Sequence, residues 1–90
     1  MKKIEIIPLA KKKLKRRGIP EDWVTDALMA PDQMVGGYGG RRVAHKKHKI
    51  GGNDYLLRVV FERKEETDVV LTAYVTSQVA RYWKEEQDED

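Results

Sequence analysis

Two apolar runs joined by a short charged segment constrain the fold of this chain more than any other feature. Residues 55–61 and 69–76 are rich in β-branched and aromatic side chains, and residues 63–68 between them are charged and polar. Such side chains pack well on a pleated sheet, and a polar break between two such runs is typical of a hairpin. The pattern predicts an antiparallel pair of strands at the centre of a sheet.

The alternation of side chains along a strand divides each run into two sets, one for each face of the sheet. The sets expected to face the core are Tyr55, Leu57, Val59 and Phe61 on the first strand, and Val69, Leu71, Ala73 and Val75 on the second. The remaining positions place Arg58, Tyr74 and two threonines on the other face. We call this the open face, and we expect the function of the protein to lie there.

The segment before the hairpin predicts two helices. Pro8 suits the first turn of a helix over residues 9–17, because its missing N–H needs no partner there, and Gly18 suits the end of that helix. A second helix starts after Pro20 and is ended by Pro31, with apolar residues at helical spacing between them.

Strands are predicted for residues 2–7, 33–38 and 41–50, with Gly39 and Gly40 as a two-residue hairpin turn. Residues 77–83 are expected to pack on the sheet. The order of these elements predicts an α+β fold in which two amino-terminal helices cover one face of an antiparallel sheet of about four strands.

The distribution of charge indicates a polyanionic partner. Five of the 15 acidic residues lie in residues 85–90, so residues 1–84 carry 18 basic and 10 acidic residues, a balance of +8. We interpret residues 1–84 as a single domain and residues 85–90 as a disordered acidic tail. A basic domain favours nucleic acid through the release of counterions from phosphates. The apolar run at residues 4–7 is interrupted by Glu5 and ended by Pro8, which is unlike a signal peptide, and the chain has no cysteine, so we expect a cytoplasmic protein. No run of residues approaches transmembrane length, and no membrane partner is expected.

Two basic clusters and one tyrosine are the candidate contacts to nucleic acid. They comprise Lys12 and Arg16 on the first helix, Arg41, Arg42, Lys46 and Lys47 on the basic strand, and Tyr38 between glycines, where its ring is free to stack on a base. The alternative is that both clusters are solvated surfaces.

No metal or other cofactor is expected. The chain has no cysteine, and His45 and His48 are three residues apart on a predicted strand, so their side chains point to opposite faces.

Three segments resemble a known family. They are PLAKKKLKRRGI at residues 8–19, GGRRVA at residues 39–44 and LTAYVTSQVARYW at residues 71–83. Together they resemble small proteins in the RelE-like branch of the barnase, EndoU, colicin and RelE ribonuclease superfamily. The resemblance implies two amino-terminal helices on a curved antiparallel sheet, and a toxin-like ribonuclease that acts on RNA or the ribosome and pairs with an antitoxin. Relatives often carry Pro-His-Ala at the first helix, and here Leu9 occupies the histidine position.

Cleavage of RNA without metal requires a group that takes up a proton, stabilisation of phosphate charge and protonation of the leaving oxygen. Arg58 and Arg81 are predicted to stabilise the phosphate, Tyr74 lies on the same face as Arg58, and His48 or His45 would move protons. The structural alternative is that Arg58 pairs with Glu62 or with an acid on a neighbouring strand, and that Tyr74 is a half-buried sheet residue. The functional alternatives are a nucleic-acid-binding module without catalysis and a protein that docks an acidic partner.

Overall fold

The computed structural model describes residues 3–83, which form five strands and three helices. In chain order these are β1 (Lys3–Ile6), α1 (Pro8–Arg17), α2 (Glu21–Met29), β2 (Gln33–Gly36), β3 (Arg42–Ile50), β4 (Asn53–Lys64), β5 (Thr67–Thr76) and the one-turn helix α3 (Val79–Tyr82). The predicted acidic tail, residues 85–90, lies outside the described residues.

The five strands form one open sheet in the order β1-β5-β4-β3-β2. Strands β2 to β5 are antiparallel to their neighbours, and β1 pairs with β5 in parallel. The predicted α+β class is confirmed, but the sheet is mixed and not purely antiparallel, because the strand predicted over residues 2–7 joins the four antiparallel strands as β1 in parallel. That strand is a short edge strand, ended by Pro8, which has no N–H to offer to a ladder.

The first helix has the boundaries that its proline and glycine predict. Pro8 is its first residue, and Gly18 follows its last residue with a φ of 68°, a left-handed conformation that costs glycine little. In that conformation the Gly18 N–H reaches the Leu14 and Lys15 carbonyls, which closes the carboxyl end of the helix. Ala10 and Leu14 are the buried residues of α1.

The connection between β2 and β3 differs from the predicted hairpin turn. Strand β2 ends at Gly36, and residues 38–40 form a single 3₁₀ turn in which Gly39 and Gly40 both have positive φ angles. Tyr38 at the start of this turn is 92% exposed.

A β-bulge in β5 changes the predicted assignment of side chains to faces. Val60 pairs with Thr72 and Phe61 pairs with Val70, which leaves Leu71 as an extra residue in β5. The extra residue resets the alternation, so Val70 is fully buried while Leu71 is only partly buried. The prediction that Val69 and Leu71 face the helices is therefore wrong, whereas it is correct for Ala73 beyond the bulge.

Helices α1 and α2 cover one face of the sheet. The core between the helices and the sheet consists of aliphatic residues and one phenylalanine: Ala10, Leu14, Ile19, Val24, Ala27, Leu28, Ala44, Leu57, Val59, Phe61, Val70 and Ala73. Arg58 lies between Leu57 and Val59 in β4, so its side chain points to the opposite face. As expected for residues 77–83, α3 packs on the sheet, and it does so on that opposite, open face, where Tyr82 contacts Arg58.

Candidate nucleic-acid interface

A row of four polar side chains crosses the open face from β2 to β5. The strand register aligns Gln33 with His45, His45 with Arg58, and Arg58 with Tyr74. His45 Nδ1 lies 3.2 Å from Gln33 Oε1, Arg58 Nε donates to His45 Nε2 at 3.0 Å, and Arg58 Nη1 donates to the Tyr74 hydroxyl. We call these four residues the polar row. Each member holds its neighbour, so the position of Arg58 is fixed from both sides.

The buried histidine of the row is neutral near pH 7. His45 is fully buried, and burial, followed by the positive charge of Arg58, lowers its pKa to about 4. Because its Nε2 accepts a hydrogen bond from Arg58, the ring hydrogen lies on Nδ1 and is donated to Gln33. His45 therefore holds Arg58 in place without adding a second charge.

The arginine of the row has no acidic partner within residues 3–83. Glu62, the expected partner, instead lies 3.5 Å from Arg41 and 3.8 Å from Lys64. The alternative in which Arg58 pairs with Glu62 is therefore wrong. A guanidinium group has five N–H donors, and the bonds to His45 and Tyr74 engage two of them. The others remain available to an anion.

Aromatic residues from the end of the described chain lie against these cations. The Arg58 guanidinium carbon is 4.1 Å from the Tyr82 ring centroid, and the Tyr74 and Tyr82 rings meet edge to face. Lys47 Nζ lies 3.9 Å from the centroid of the Trp83 ring, which also stacks on His45. In such cation–π contacts the face of the ring attracts the cation, and the positive charge is not neutralised.

The second predicted catalytic arginine belongs to the same group of residues. Arg81 lies 5.4 Å from the Tyr82 ring centroid and donates to Gln78 Oε1 at 3.2 Å, and its side chain is exposed. The structure thus brings together Arg58, Tyr74 and Arg81, as the sequence predicted, and Tyr82 is the ring that both arginines contact.

The predicted catalytic residue His48 lies on the other face of the sheet. It is aligned with Tyr55, and its ring stacks on Trp23 of α2 with centroids 4.0 Å apart. Its expected grouping with Arg58 and Tyr74 is therefore wrong. The reason is the odd spacing from His45, which puts the two histidines on opposite faces and places only His45 in the row.

The cations of the basic strand divide between the two faces. Lys46 points to the helix side, where its Nζ donates to the Ala30 carbonyl at 2.7 Å and lies 3.7 Å from Asp26. Arg42 is aligned with the core residue Phe61 and is exposed on that same side. Lys47 alone of these three predicted contacts lies on the open face with Arg58.

The remaining predicted contacts lie away from the polar row. Lys12 and Arg16 are exposed on α1, on the far side of the sheet from Arg58. Arg41 is engaged with Glu62, and Tyr38 projects from the turn between β2 and β3. The two predicted basic clusters therefore do not combine into one surface.

Sequence reasoning missed the parts of the site that depend on tertiary contacts. Arg17, at the end of α1, reaches the exposed edge of β5 beyond β1, where it donates to the Ala73 carbonyl at 2.8 Å and the Thr72 hydroxyl at 3.2 Å. The packing of Tyr82 on Arg58, and of Trp83 on His45 and Lys47, was also not predicted. The only signal for it was the pair of aromatic residues in the segment expected to pack on the sheet.

Residues 3–83 contain no group of three or more side chains that could together hold a metal ion. No helix in that part of the chain is both long and apolar enough to span a bilayer. Comparisons of the chain with protein-family models, curated proteins and solved structures gave no match. The contacts of the open face are therefore the basis for assigning a function.

Proposed function

We propose that the chain is a RelE-like RNA-binding protein whose open face binds the sugar-phosphate backbone, with Arg58 as the central phosphate contact. The observation that carries this proposal is the absence of any carboxylate partner for Arg58 within the described part of the chain, residues 3–83. The resemblance of residues 8–19, 39–44 and 71–83 to RelE-like proteins supports it as well.

The surroundings of Arg58 favour a phosphate ligand. Removing a charged group from water is costly unless it is paired, and Arg58 is half-buried among neutral acceptors and aromatic rings. Its planar fork is held by His45 and Tyr74 before any ligand arrives, so little side-chain freedom is lost on binding. A phosphate would supply the missing negative charge and accept the free N–H groups in a charge-assisted, bidentate manner.

The neighbouring cations suit a chain of phosphates better than a single one. Lys47 and Arg81 lie on the same face, each against an aromatic ring, and neither forms an ion pair within residues 3–83. Several uncompensated cations on one face are the electrostatic pattern of nucleic-acid binding.

RNA binding by the Arg58→Met variant tests the proposal. Methionine keeps the aliphatic bulk and removes the charge, and Lys64→Met is the matched control, because it removes one exposed charge that sits beside Glu62. We expect Arg58→Met to weaken binding of a single-stranded RNA about 10- to 100-fold, the value of a charged hydrogen-bonded contact, in fluorescence anisotropy at low salt. Equal losses in both variants, or no binding by the unmodified chain, would contradict the proposal.

A second candidate function is cleavage of the bound RNA without metal. Because Arg58 donates to the Tyr74 oxygen, the hydroxyl hydrogen of Tyr74 points away from Arg58 and is available to a ligand. In this scheme the 2′ oxygen attacks phosphorus and gives its proton to water, a 2′,3′-cyclic phosphate forms, and Tyr74 protonates the departing 5′ oxygen. Arg58 and Arg81 stabilise the charge on phosphorus. His45 takes no part in the proton transfers, because it is buried and its Nε2 is occupied.

Cleavage is tested in EDTA on free RNA and on translating ribosomes. Tyr74→Phe should reduce the rate about 100-fold or more, the usual contribution of a general acid, while RNA affinity changes little. Arg81→Ala should lower the rate through loss of charge stabilisation. If the unmodified chain cuts RNA in neither setting, the protein binds RNA without cleaving it, in keeping with Leu9 at the position of the family histidine.

A further inference from the structure

A second concave site lies at the end of the β3–β4 pair, next to the first residue of α3, with Lys47, Lys49 and Asp54 from the open face and His48 and Tyr55 from the helix side. It is a cavity of about 330 Å³ lined by Lys47, His48, Lys49, Asp54, Tyr55 and Val79. Val79 is the first residue of α3, and Tyr82, which covers Arg58, is the last. The volume is at the lower end of the range of small-molecule sites, roughly 300–1,000 Å³. The cavity is therefore of a size for one small organic group beside the Arg58 site.

The charges around this cavity favour an anionic ligand that also has hydrogen-bonding edges. Lys49 Nζ lies 3.3 Å from Asp54 Oδ1, so this pair presents a donor and an acceptor side by side. Lys47 contacts the Trp83 ring and has no carboxylate partner within residues 3–83. The cavity thus has one uncompensated positive charge and a polar pair suited to the edge of a nucleobase.

The cavity and the polar row are adjacent along β3. Lys47 follows His45 by two residues, so both side chains lie on the open face, about 7 Å apart along the strand. Trp83 contacts both of them. The shared contact with Trp83 places Lys47, which lines the cavity, next to the polar row.

We propose that this cavity binds the nucleotide next to the phosphate held by Arg58, so that the ligand is single-stranded RNA of at least two nucleotides. The inference rests on the proposed function of the Arg58 site. A base inside a duplex is paired and stacked and does not reach a cavity of this kind, whereas an unpaired base does. Asp54 accepts a hydrogen bond from an exocyclic amino group, as carboxylates do from cytosine, which favours cytosine over uracil.

The test compares two short ligands by calorimetry at low salt. They are 5′-phosphorylated cytidine and the 5′-phosphorylated cytidine dinucleotide, both with 2′-O-methyl groups so that the 2′ oxygen cannot attack. We expect the dinucleotide to bind at least about tenfold more tightly than the mononucleotide. Asp54→Ala, which removes the acceptor that asparagine would keep, and Lys49→Met should each remove this advantage and leave mononucleotide binding unchanged. Both side chains are exposed, so the substitutions leave the core intact.

The outcomes separate this inference from the function on which it rests. If mononucleotide and dinucleotide bind the unmodified chain equally well, and Arg58→Met weakens both, the cavity is not a nucleotide site while the Arg58 site remains. If neither ligand binds, the proposed function is wrong. If an RNA duplex of the same sequence binds as tightly as the single strand, or the uridine dinucleotide as tightly as the cytidine one, the corresponding part of the inference is overturned.

Discussion

Lys46 and Arg63, on the helix side of the sheet, have partners of a different kind from those of Arg58 and Lys47 on the open face. On the helix side, Lys46 meets a helix carbonyl and Asp26, and Arg63 forms a two-bond pair with the buried Asp68 at 2.7 and 3.2 Å. On the open face, Arg58 and Lys47 meet neutral acceptors and aromatic rings. Lys46 and Arg63 are therefore compensated by carboxylates, whereas Arg58 and Lys47 have no such partner within residues 3–83, although Lys49 on the open face pairs with Asp54.

Under the proposed function, this difference separates cations that stabilise the fold from cations that bind RNA. A cation with a fixed carboxylate partner is satisfied within the fold, as Arg63 is, and the bond to Asp68 raises the pKa of Arg63 further. A cation held in place without a counter-charge gains most from an external anion. The comparison predicts that loss of a core side chain on the helix side mainly reduces stability, whereas loss of Arg58 or Lys47 on the open face mainly reduces binding.

The largest expected effect is on the helix side. Phe61 is fully buried in the core, and Phe61→Ala should lower the free energy of unfolding by about 3–5 kcal/mol, because it removes apolar contact and leaves a cavity. Tyr74→Phe on the open face removes one hydroxyl and should cost about 1 kcal/mol. Urea denaturation of both variants measures the difference. Equal costs would mean that the open face is as important for folding as the helix-covered core.

Acid should weaken the fold through the polar row. The pKa of His45 is about 4 in the folded chain, below its ordinary value of 6.5, so the unfolded chain binds a proton more readily. The free energy of unfolding is therefore highest above pH 6.5 and falls by ~3 kcal/mol in total as the pH is lowered to 4 and below.

His45→Gln is the variant that isolates this effect. Glutamine keeps an acceptor for Arg58 and does not titrate. Between pH 7 and pH 4 the free energy of unfolding should therefore fall by about 3 kcal/mol less in the variant than in the unmodified chain. The free energy of unfolding at a series of pH values gives the two slopes. Parallel slopes would show that His45 does not titrate within the row.

The sequence predicted the features that depend on neighbouring residues alone: the ends of α1, the antiparallel pairing of β4 with β5, and the face on which Arg58 lies. Pro8 and Gly18 define α1 because each has a backbone property that suits one end of a helix. Alternation placed Arg58 and Tyr74 on one face, and β4 and β5 have the predicted antiparallel pairing. Local conformational preference and a period of two are enough for these features.

The parts that could not be predicted depend on a single inserted residue or on distant contacts. The bulge at Leu71 reverses the faces of the residues before it, and a strand of β-branched residues gives no sign of where such an insertion falls. Similarly, the choice of His45 over His48 depends on the register between β3 and β4. The cover of Tyr82 over Arg58 depends on how the chain returns to the sheet after β5.

Removing a single positive charge from the open face should have a smaller effect, on the salt dependence of RNA binding. Lys47→Met removes a cation from the open face and should reduce the slope of log affinity against log salt by about 1. Lys11→Met, on the exposed surface of α1, is the matched control and should leave the slope unchanged. Anisotropy titrations at several salt concentrations measure both slopes. If the two variants lose the same amount, RNA responds to the overall charge of the domain and not to this face.

The smallest change in the free energy of unfolding is expected for substitution of His48. His48 Nε2 is buried and has no hydrogen-bond partner within residues 3–83, which costs free energy, while the ring itself is held by stacking on Trp23. His48→Phe keeps an aromatic ring against Trp23 and removes the unsatisfied nitrogen, so the free energy of unfolding should stay the same or rise by up to about 1 kcal/mol. His48→Ala, which also removes the stacked ring, should be destabilising in the same urea denaturation series. A loss of stability in His48→Phe as large as that in His48→Ala would mean that the nitrogen, and not the ring, holds this histidine on the helix side.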